Sequence, residues 1–285
     1  MKYMTSLFLT SALVMFFTSC QTAPKEAAAL PVKSAASENY YAQIKSDKMK
    51  QAELDLPFRG FNDEKSIQTI AFGSPETNCW DAIQKNNPEL MILTASPEKN
   101  ILKLPEYRSI REKVPFMCSP TADTKSEFIR DWPYAKNIIP DTQNGVYHSK
   151  IFGTKKNQIQ VIMIDLIDSD QKWTWLENEF KKPTALKILT GPTQSREKML
   201  SLIKKAKAKN LIMLPNDRPV SNFEKTEIKN FGSIYETFAV TRAIATEGTE
   251  PVIFGLIKIN WTEREARLEI RTIDDQKVQV VELKL

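Results

Sequence analysis

Side chains able to do chemistry near neutral pH are scarce in this 285-residue chain, which holds one histidine, His148. Imidazole titrates close to neutrality and is the commonest metal ligand. His-based chemistry therefore runs through His148 or is absent, which excludes most dinuclear and Cys/His metal sites. The three cysteines, Cys20, Cys79 and Cys118, show no CxxC or other zinc-ligand spacing. Two acidic stretches remain. DLIDSD, residues 165–170, has the oxygen density of a calcium loop but lacks the glycine and terminal glutamate of an EF-hand. Asp168 with Gln171 three residues on reads instead as the start of a helix. The second stretch ends the apolar run 211–214, where the chain passes into Asn216, Asp217, Arg218 and Pro219. Polar residues just past a buried strand are where α/β folds keep their reactive groups.

The elements that position these residues begin after an N-terminal address. Residues 1–19 carry Lys2, an apolar run from Leu7 to Phe17, then Thr18 and Ser19. That run is too short to span a bilayer and reads as a signal peptide. Phe17-Thr18-Ser19-Cys20 resembles a bacterial lipoprotein box, with phenylalanine where leucine is more usual. The resemblance implies cleavage before Cys20, acylation of that cysteine and anchoring in a membrane. By the same resemblance to lipoproteins, Gln21 rather than aspartate after the cysteine implies the outer membrane of the cell envelope. Residues 20–60 begin with an Ala-, Pro-, Ser- and Lys-rich tether that has little to bury.

From Ser66 onward strands and helices alternate. IQTIAFG (67–73), ELMILTA (89–95) and VPFMCS (114–119) are apolar runs, with Trp80, Ala82 and Ile83 on a helical face between the first two. GVYHSKIFG (145–153) alternates, while IQVIMIDLI (159–167) is too continuously apolar to face water on either side. Trp173, Leu176 and Phe180 form one helical stripe, and Met199, Ile203 and Ala206 another, flanking the strand LKILTG (186–191). Beyond the strand at 211–214 come strands without helices: 233–241, 252–261, 266–273 and 278–285. An α/β half followed by antiparallel strands predicts two packed sheets flanked by helices.

Composition agrees: 41% hydrophobic and 26% charged residues suit a globular chain. A net charge of +5 without a clustered basic stripe argues against nucleic acid as a partner. The runs Lys204, Lys205, Lys207, Lys209 and Lys181, Lys182 read as solvated helix faces.

Across residues 66–285 the ordered segments IAFGS, WDAIQKNNPEL, GVYHSKIFG, IQVIMIDL, WTWLENEF, LIMLPNDR, SIYETFAVT and FGLIKINW resemble alkaline phosphatase D and its metallophosphatase relatives. The resemblance implies a four-layer α/β/β/α sandwich with a metal centre at the strand ends. Each loop that carries chemistry in that family departs from the pattern. Ser74 is followed by Pro75 where a metal-binding cysteine belongs. Thr94, Ala95 and Ser96 replace Gly-Asp-Asn, and Pro120–Thr124, including Asp123, stand opposite an Asp/His-rich loop. Asn216, Asp217, Arg218 and Pro219 replace Gly-Asp-Arg-His.

Ser74, Asp123, Asp217 and Arg218 are thus a vestigial pocket, with no metal and no other cofactor expected. Asp217 also fits a simple turn brace paired with Arg218, and His148 a packed side chain. By the same resemblance Cys79 and Cys118 lie near the vacated site, either as a disulfide or as two separately buried small residues. The function expected is a lipid-anchored, non-catalytic binding or scaffold module whose partners are the membrane and an unidentified envelope protein or ligand. An active metal-dependent phosphomonoesterase or phosphodiesterase rebuilt on Asp123 and Asp217 is the alternative. An envelope protein docking a partner or glycan through an apolar surface is a third reading.

Overall fold

The computed structural model describes residues 61, 65–73, 80–94, 113–120, 124–154, 156–216, 222–228, 232–238, 253–272 and 277–285. All belong to one compact unit, Asp47–Leu285. Cys20, the signal peptide and the tether lie outside the described residues. No described helix is long and apolar enough to cross a membrane.

The apolar runs form two six-stranded sheets. The first is built on β1 (Ile67–Gly73), β2 (Leu90–Leu93) and β3 (Phe116–Cys118), which run parallel. The antiparallel strands β10 (Ile253–Asn260), β11 (Glu265–Thr272) and β12 (Lys277–Lys284) extend it on the other side of β1, giving the order β12-β11-β10-β1-β2-β3. The second sheet contains β4 (His148–Phe152), β5 (Ile159–Met163), β6 (Leu186–Gly191), β7 (Leu211–Pro215), β8 (Asn222–Ile228) and β9 (Gly232–Phe238), in the order β4-β5-β6-β7-β9-β8.

Alternation along each strand then sorts side chains between layers. Ile70, Phe72, Leu90 and Ile92 of the first sheet meet Val161, Met163, Ile188 and Ile212 of the second in the central core. The opposite face of the first sheet packs Ala71, Met91 and Leu93 against helix α1 (Trp80–Lys85) and helix α2 (Lys125–Asp131) with its following 3₁₀ turn, Pro133–Asn137. The outer face of the second sheet packs Ile162, Ile164 and Leu189 against α3 (Asp170–Lys181) and α4 (Arg196–Ala206). This is a four-layer α/β/β/α sandwich, the layer order that the resemblance implies. The predicted stripe Trp173, Leu176 and Phe180 lies buried on α3, as do Met199 and Ile203 on α4. Lys204, Lys205, Lys207 and Lys209 are exposed.

Three local readings are corrected. Ser169, not Asp168, caps α3 by accepting from the Lys172 backbone N–H, because Asp168 is taken up by the Trp173 indole N–H. Helix α2 went unread, although Thr124-x-x-Glu127 ahead of Phe128 forms a complete capping box. Strand β8 also went unread; NFEKTEI alternates, but its many charges mask the pattern and it pairs only with β9, as an edge.

Gly255 shows how tightly the core is closed. It pairs with Phe72, and a Cβ at Gly255 would lie 2.0 Å from that ring. Because the ring is fully buried, Gly255→Ala is expected to destabilise by about 1–3 kcal/mol through overpacking. Combining it with Phe72→Leu should cost less than the sum of the two single changes, measured from urea midpoints. Strict additivity would mean that the ring does not oppose the new methyl.

Candidate functional site: a hydrogen-bonded closure at the strand ends

The C-terminal ends of β2, β3, β5, β6 and β7 meet at one pole of the sandwich, where α/β folds place their chemistry. Ser119 follows β3, its N–H bonded to the Leu93 carbonyl at 2.8 Å. Asn216 follows β7, its N–H bonded to the Gly191 carbonyl at 3.1 Å. Thr190 on β6 donates its hydroxyl to Ser119 Oγ at 2.9 Å. The Asn216 amide nitrogen donates to Ser119 Oγ at 3.2 Å, the Pro120 carbonyl at 3.2 Å and the Ile164 carbonyl at 2.9 Å. Ser119, Thr190 and Asn216 are all buried. Neutral donors and acceptors thus tie the two sheets together where the sequence places the vestigial pocket. Asn216 Oδ1 has no hydrogen-bonding partner among the described residues.

Asp165, just beyond β5, directly follows Ile164, whose carbonyl accepts from the Asn216 amide. It is 1% exposed and its Oδ2 accepts the Val146 N–H at 2.6 Å. Lys172, fully buried on the first turn of α3, points its ammonium at Asp165 Oδ1 (3.3 Å), the Asp165 carbonyl (3.0 Å) and the Ile167 carbonyl. The oxygens that gave DLIDSD its calcium-loop look therefore surround a resident ammonium. Burial pushes the Lys172 pKa down, and Asp165 works against that shift. Above this pair the Trp173 ring carries Lys172 Nζ at 4.6 Å and Lys198 Nζ at 4.5 Å from its centroid.

His148 lies in the same half of the molecule, at the start of β4. Its Nδ1 is 3.0 Å from the Val146 carbonyl, and its Nε2 is 3.4 Å from the Tyr134 hydroxyl. The Tyr134 oxygen in turn accepts the Cys118 N–H at 2.9 Å. A carbonyl cannot donate, so Nδ1 carries the proton and Nε2 accepts from the tyrosine, which fixes the neutral tautomer. Burial lowers the His148 pKa to about 4, although the Val146 carbonyl favours the charged form. The ring is a packed element among Phe128 and Tyr134, with centroids 5.6 and 5.9 Å away.

Of the residues singled out from sequence, Ser74, Cys79, Asp123, Asp217 and Arg218 lie outside the described residues. Cys118 is buried at the end of β3 with its Sγ 3.6 Å from the Ser119 carbonyl. Sequence reasoning missed Ser119, Thr190 and Lys172. Asn216 it recorded only as the residue standing where glycine belongs.

A dinuclear phosphoesterase centre needs several anionic oxygens, one of them bridging, to offset cation repulsion. The described donors at this pole do not fit it: two hydroxyls and an amide bonded to one another, and one carboxylate engaged by Lys172 and Val146. Among the described residues no three His, Cys, Asp or Glu side chains gather as a metal site.

No protein-family model matches the chain, and no curated protein matches it. Solved structures resemble it at the level of fold. Vps29 of Chaetomium thermophilum is 9% identical over 76% of this chain and 98% of its own, with a TM-score of 0.37. A conserved uncharacterized protein of Streptococcus pneumoniae, described as a predicted phosphoesterase, is 8% identical over 77% of this chain and 98% of its own, with a TM-score of 0.35. A single mutant of Vps29 from Entamoeba histolytica is 9% identical over 76% and 99%, also with a TM-score of 0.35.

Proposed function

We propose that this chain is a lipid-anchored protein of the bacterial envelope, a degenerate relative of alkaline phosphatase D that serves as a non-catalytic binding or scaffold module. The observation that carries the reading is the Ser119–Thr190–Asn216 closure. Two hydroxyls and an amide supply no negative charge, and their one oxygen unpartnered among the described residues, the neutral Asn216 Oδ1, cannot by itself offset the repulsion of two hard cations. The bonds from Asn216 to Pro120 and Ile164 hold the sheets together by neutral contacts at the pole where relatives employ metal. The sequence supports the same reading through Pro75 and the Thr94-Ala95-Ser96 segment, and supports anchoring through the motif ending in Cys20.

The test uses mature protein purified from membranes. Elemental analysis is expected to find less than one transition metal per chain, and aryl phosphomonoesters and phosphodiesters should be hydrolysed no faster than in its absence, with or without added divalent cations. One or more metals per chain, with turnover lost in Asp123→Ala or Asp217→Ala, would establish a rebuilt active site instead. Cys20→Ser should leave the detergent phase or accumulate as precursor; partitioning identical to wild type would remove the anchor from the proposal.

A further inference from the structure

The far pole of the sandwich, at the N-terminal ends of the central strands, carries a cavity of about 510 Å³. It lies roughly 15–20 Å from the Ser119 closure, the length of a five-residue strand. Three turns wall it: Lys156 and Asn157 between β4 and β5, Thr184 and Ala185 between α3 and β6, and Trp261 and Arg264 between β10 and β11. Among the described residues its charged lining groups are both cations, and no acidic side chain lines it.

These groups are held in place. Arg264 adopts a left-handed backbone, φ 55°, a conformation that costs a non-glycine residue energy. Its Nη1 donates to the Lys156 carbonyl at 3.0 Å, tying the first sheet to the second, and its guanidinium lies 5.6 Å over the Trp261 ring. The Trp261 indole N–H is fixed on Gln68 Oε1 at 2.8 Å. One Arg264 nitrogen is thereby spent on the protein, and the rest of the fork remains for a ligand.

Behind the Thr184 wall sits Lys187, 3% exposed, whose ammonium donates to Thr184 Oγ1 and to the Lys182 carbonyl, both at 2.6 Å. Because Thr184 Oγ1 accepts from an ammonium, its own hydroxyl proton is left to donate, and the adjacent charge strengthens it as a donor. Among the described residues no carboxylate pairs directly with Lys187. Glu179 acts on it from farther away, and burial brings its pKa down to about 8. A desolvated ammonium without a contact counter-ion favours an anion nearby.

We propose that this cavity binds the oxyanion of a small phosphorylated or carboxylated molecule, held by Arg264, Lys156 and the Thr184 hydroxyl. The volume is in the range of small-molecule sites, and the depression is open enough to admit a sugar-sized body beside the anion, against Ala185 and the turn at Pro183. Such a phosphate group belongs equally to a soluble ester or to a lipid headgroup. The site is independent of whether the opposite pole is catalytic.

The experiment follows the Trp261 indole resonance of the 15N-labelled mature protein, assigned with Trp261→Phe. Inorganic phosphate, glucose 6-phosphate, glucuronate and phosphatidylglycerol vesicles are titrated at constant ionic strength. Saturable shifts are expected with glucose 6-phosphate or glucuronate, more weakly with inorganic phosphate. Arg264→Gln should weaken binding by about tenfold or more, and Thr184→Val by a smaller factor. Lys198→Gln, on α4 beside Trp173 and Asp168, should change nothing. Saturation by the vesicles alone, lost in Arg264→Gln, would assign the oxyanion to a headgroup. Shifts that fail to saturate with every probe, or that survive Arg264→Gln in a protein with an unchanged urea midpoint, would overturn the site.

Discussion

Replacing Lys172 by methionine is expected to destabilise the protein by about 3–5 kcal/mol, the cost of stranding one partner of a buried ion pair. Among the described residues the change leaves the Asp165 carboxylate, 1% exposed, with only the Val146 N–H for compensation, and it deprives the Asp165 and Ile167 carbonyls of their donor. The control is Asp165→Asn in the same chain. Asparagine keeps an oxygen for Val146 and removes the charge, so the double variant Asp165→Asn/Lys172→Met should recover a large part of the loss. Urea unfolding of the wild type, both single variants and the double variant closes the cycle. A loss below about 1 kcal/mol for Lys172→Met, or a double variant no more stable than that single one, would mean that the ammonium is not an internal counter-ion. Exposed pairs such as Lys205–Glu177 and Arg196–Glu197 should contribute far less, because water screens them.

Lys172 also marks where the sequence stops being legible. The fold was readable because it rests on local periodicity. Residues 159–163 are apolar throughout since Ile159, Val161 and Met163 face the central core while Ile162 faces α3 and α4. The stripe Trp173, Leu176 and Phe180 declared its helix by spacing alone. The closure at the strand ends has no such signature. Thr190 and Ser119 are 71 positions apart, Asn216 and Ser119 are 97, and small polar residues at those distances form no pattern until the parallel crossovers of both sheets place them together. A lysine in the first turn of an amphipathic helix reads as solvated. Its burial follows from the bend at 165–169, which turns the Asp165 and Ile167 carbonyls toward the ammonium. That the metal ligands of the resembled family are missing here is an expectation resting on resemblance alone, and the hydrogen bonds at this pole had no signature in the sequence.

Acidification from pH 7 to pH 4 is expected to remove about 3 kcal/mol of stability through His148 alone. The ordinary histidine pKa of 6.5 describes the unfolded chain, and burial lowers the folded value to about 4. Between these values the unfolded chain binds a proton that the folded chain refuses, so stability rises with pH across the window. The contribution is complete above pH 6.5 and is lost progressively as pH falls toward 4. The surroundings give the charged ring little help. Phe128 and Tyr134 pack on it from α2 and the 3₁₀ turn, the Val146 carbonyl meets Nδ1, and no carboxylate is among the causes of its shift. Protonation of Nε2 would also set two donors, the imidazolium and the Tyr134 hydroxyl, against each other, and Tyr134 would have to turn its proton away. Because the chain has one histidine, His148→Phe isolates the effect. The variant should be less stable than wild type at pH 7 for want of two hydrogen bonds, and the difference should narrow by about 3 kcal/mol by pH 4 as the wild type alone takes on the cost of charging. Carboxylate titrations act on both proteins and cancel. The single imidazole resonance should titrate near pH 4 in the folded wild type; a midpoint near 6.5, or a stability difference constant with pH, would show that the ring meets water and is not the closed link between β4 and the helical layer.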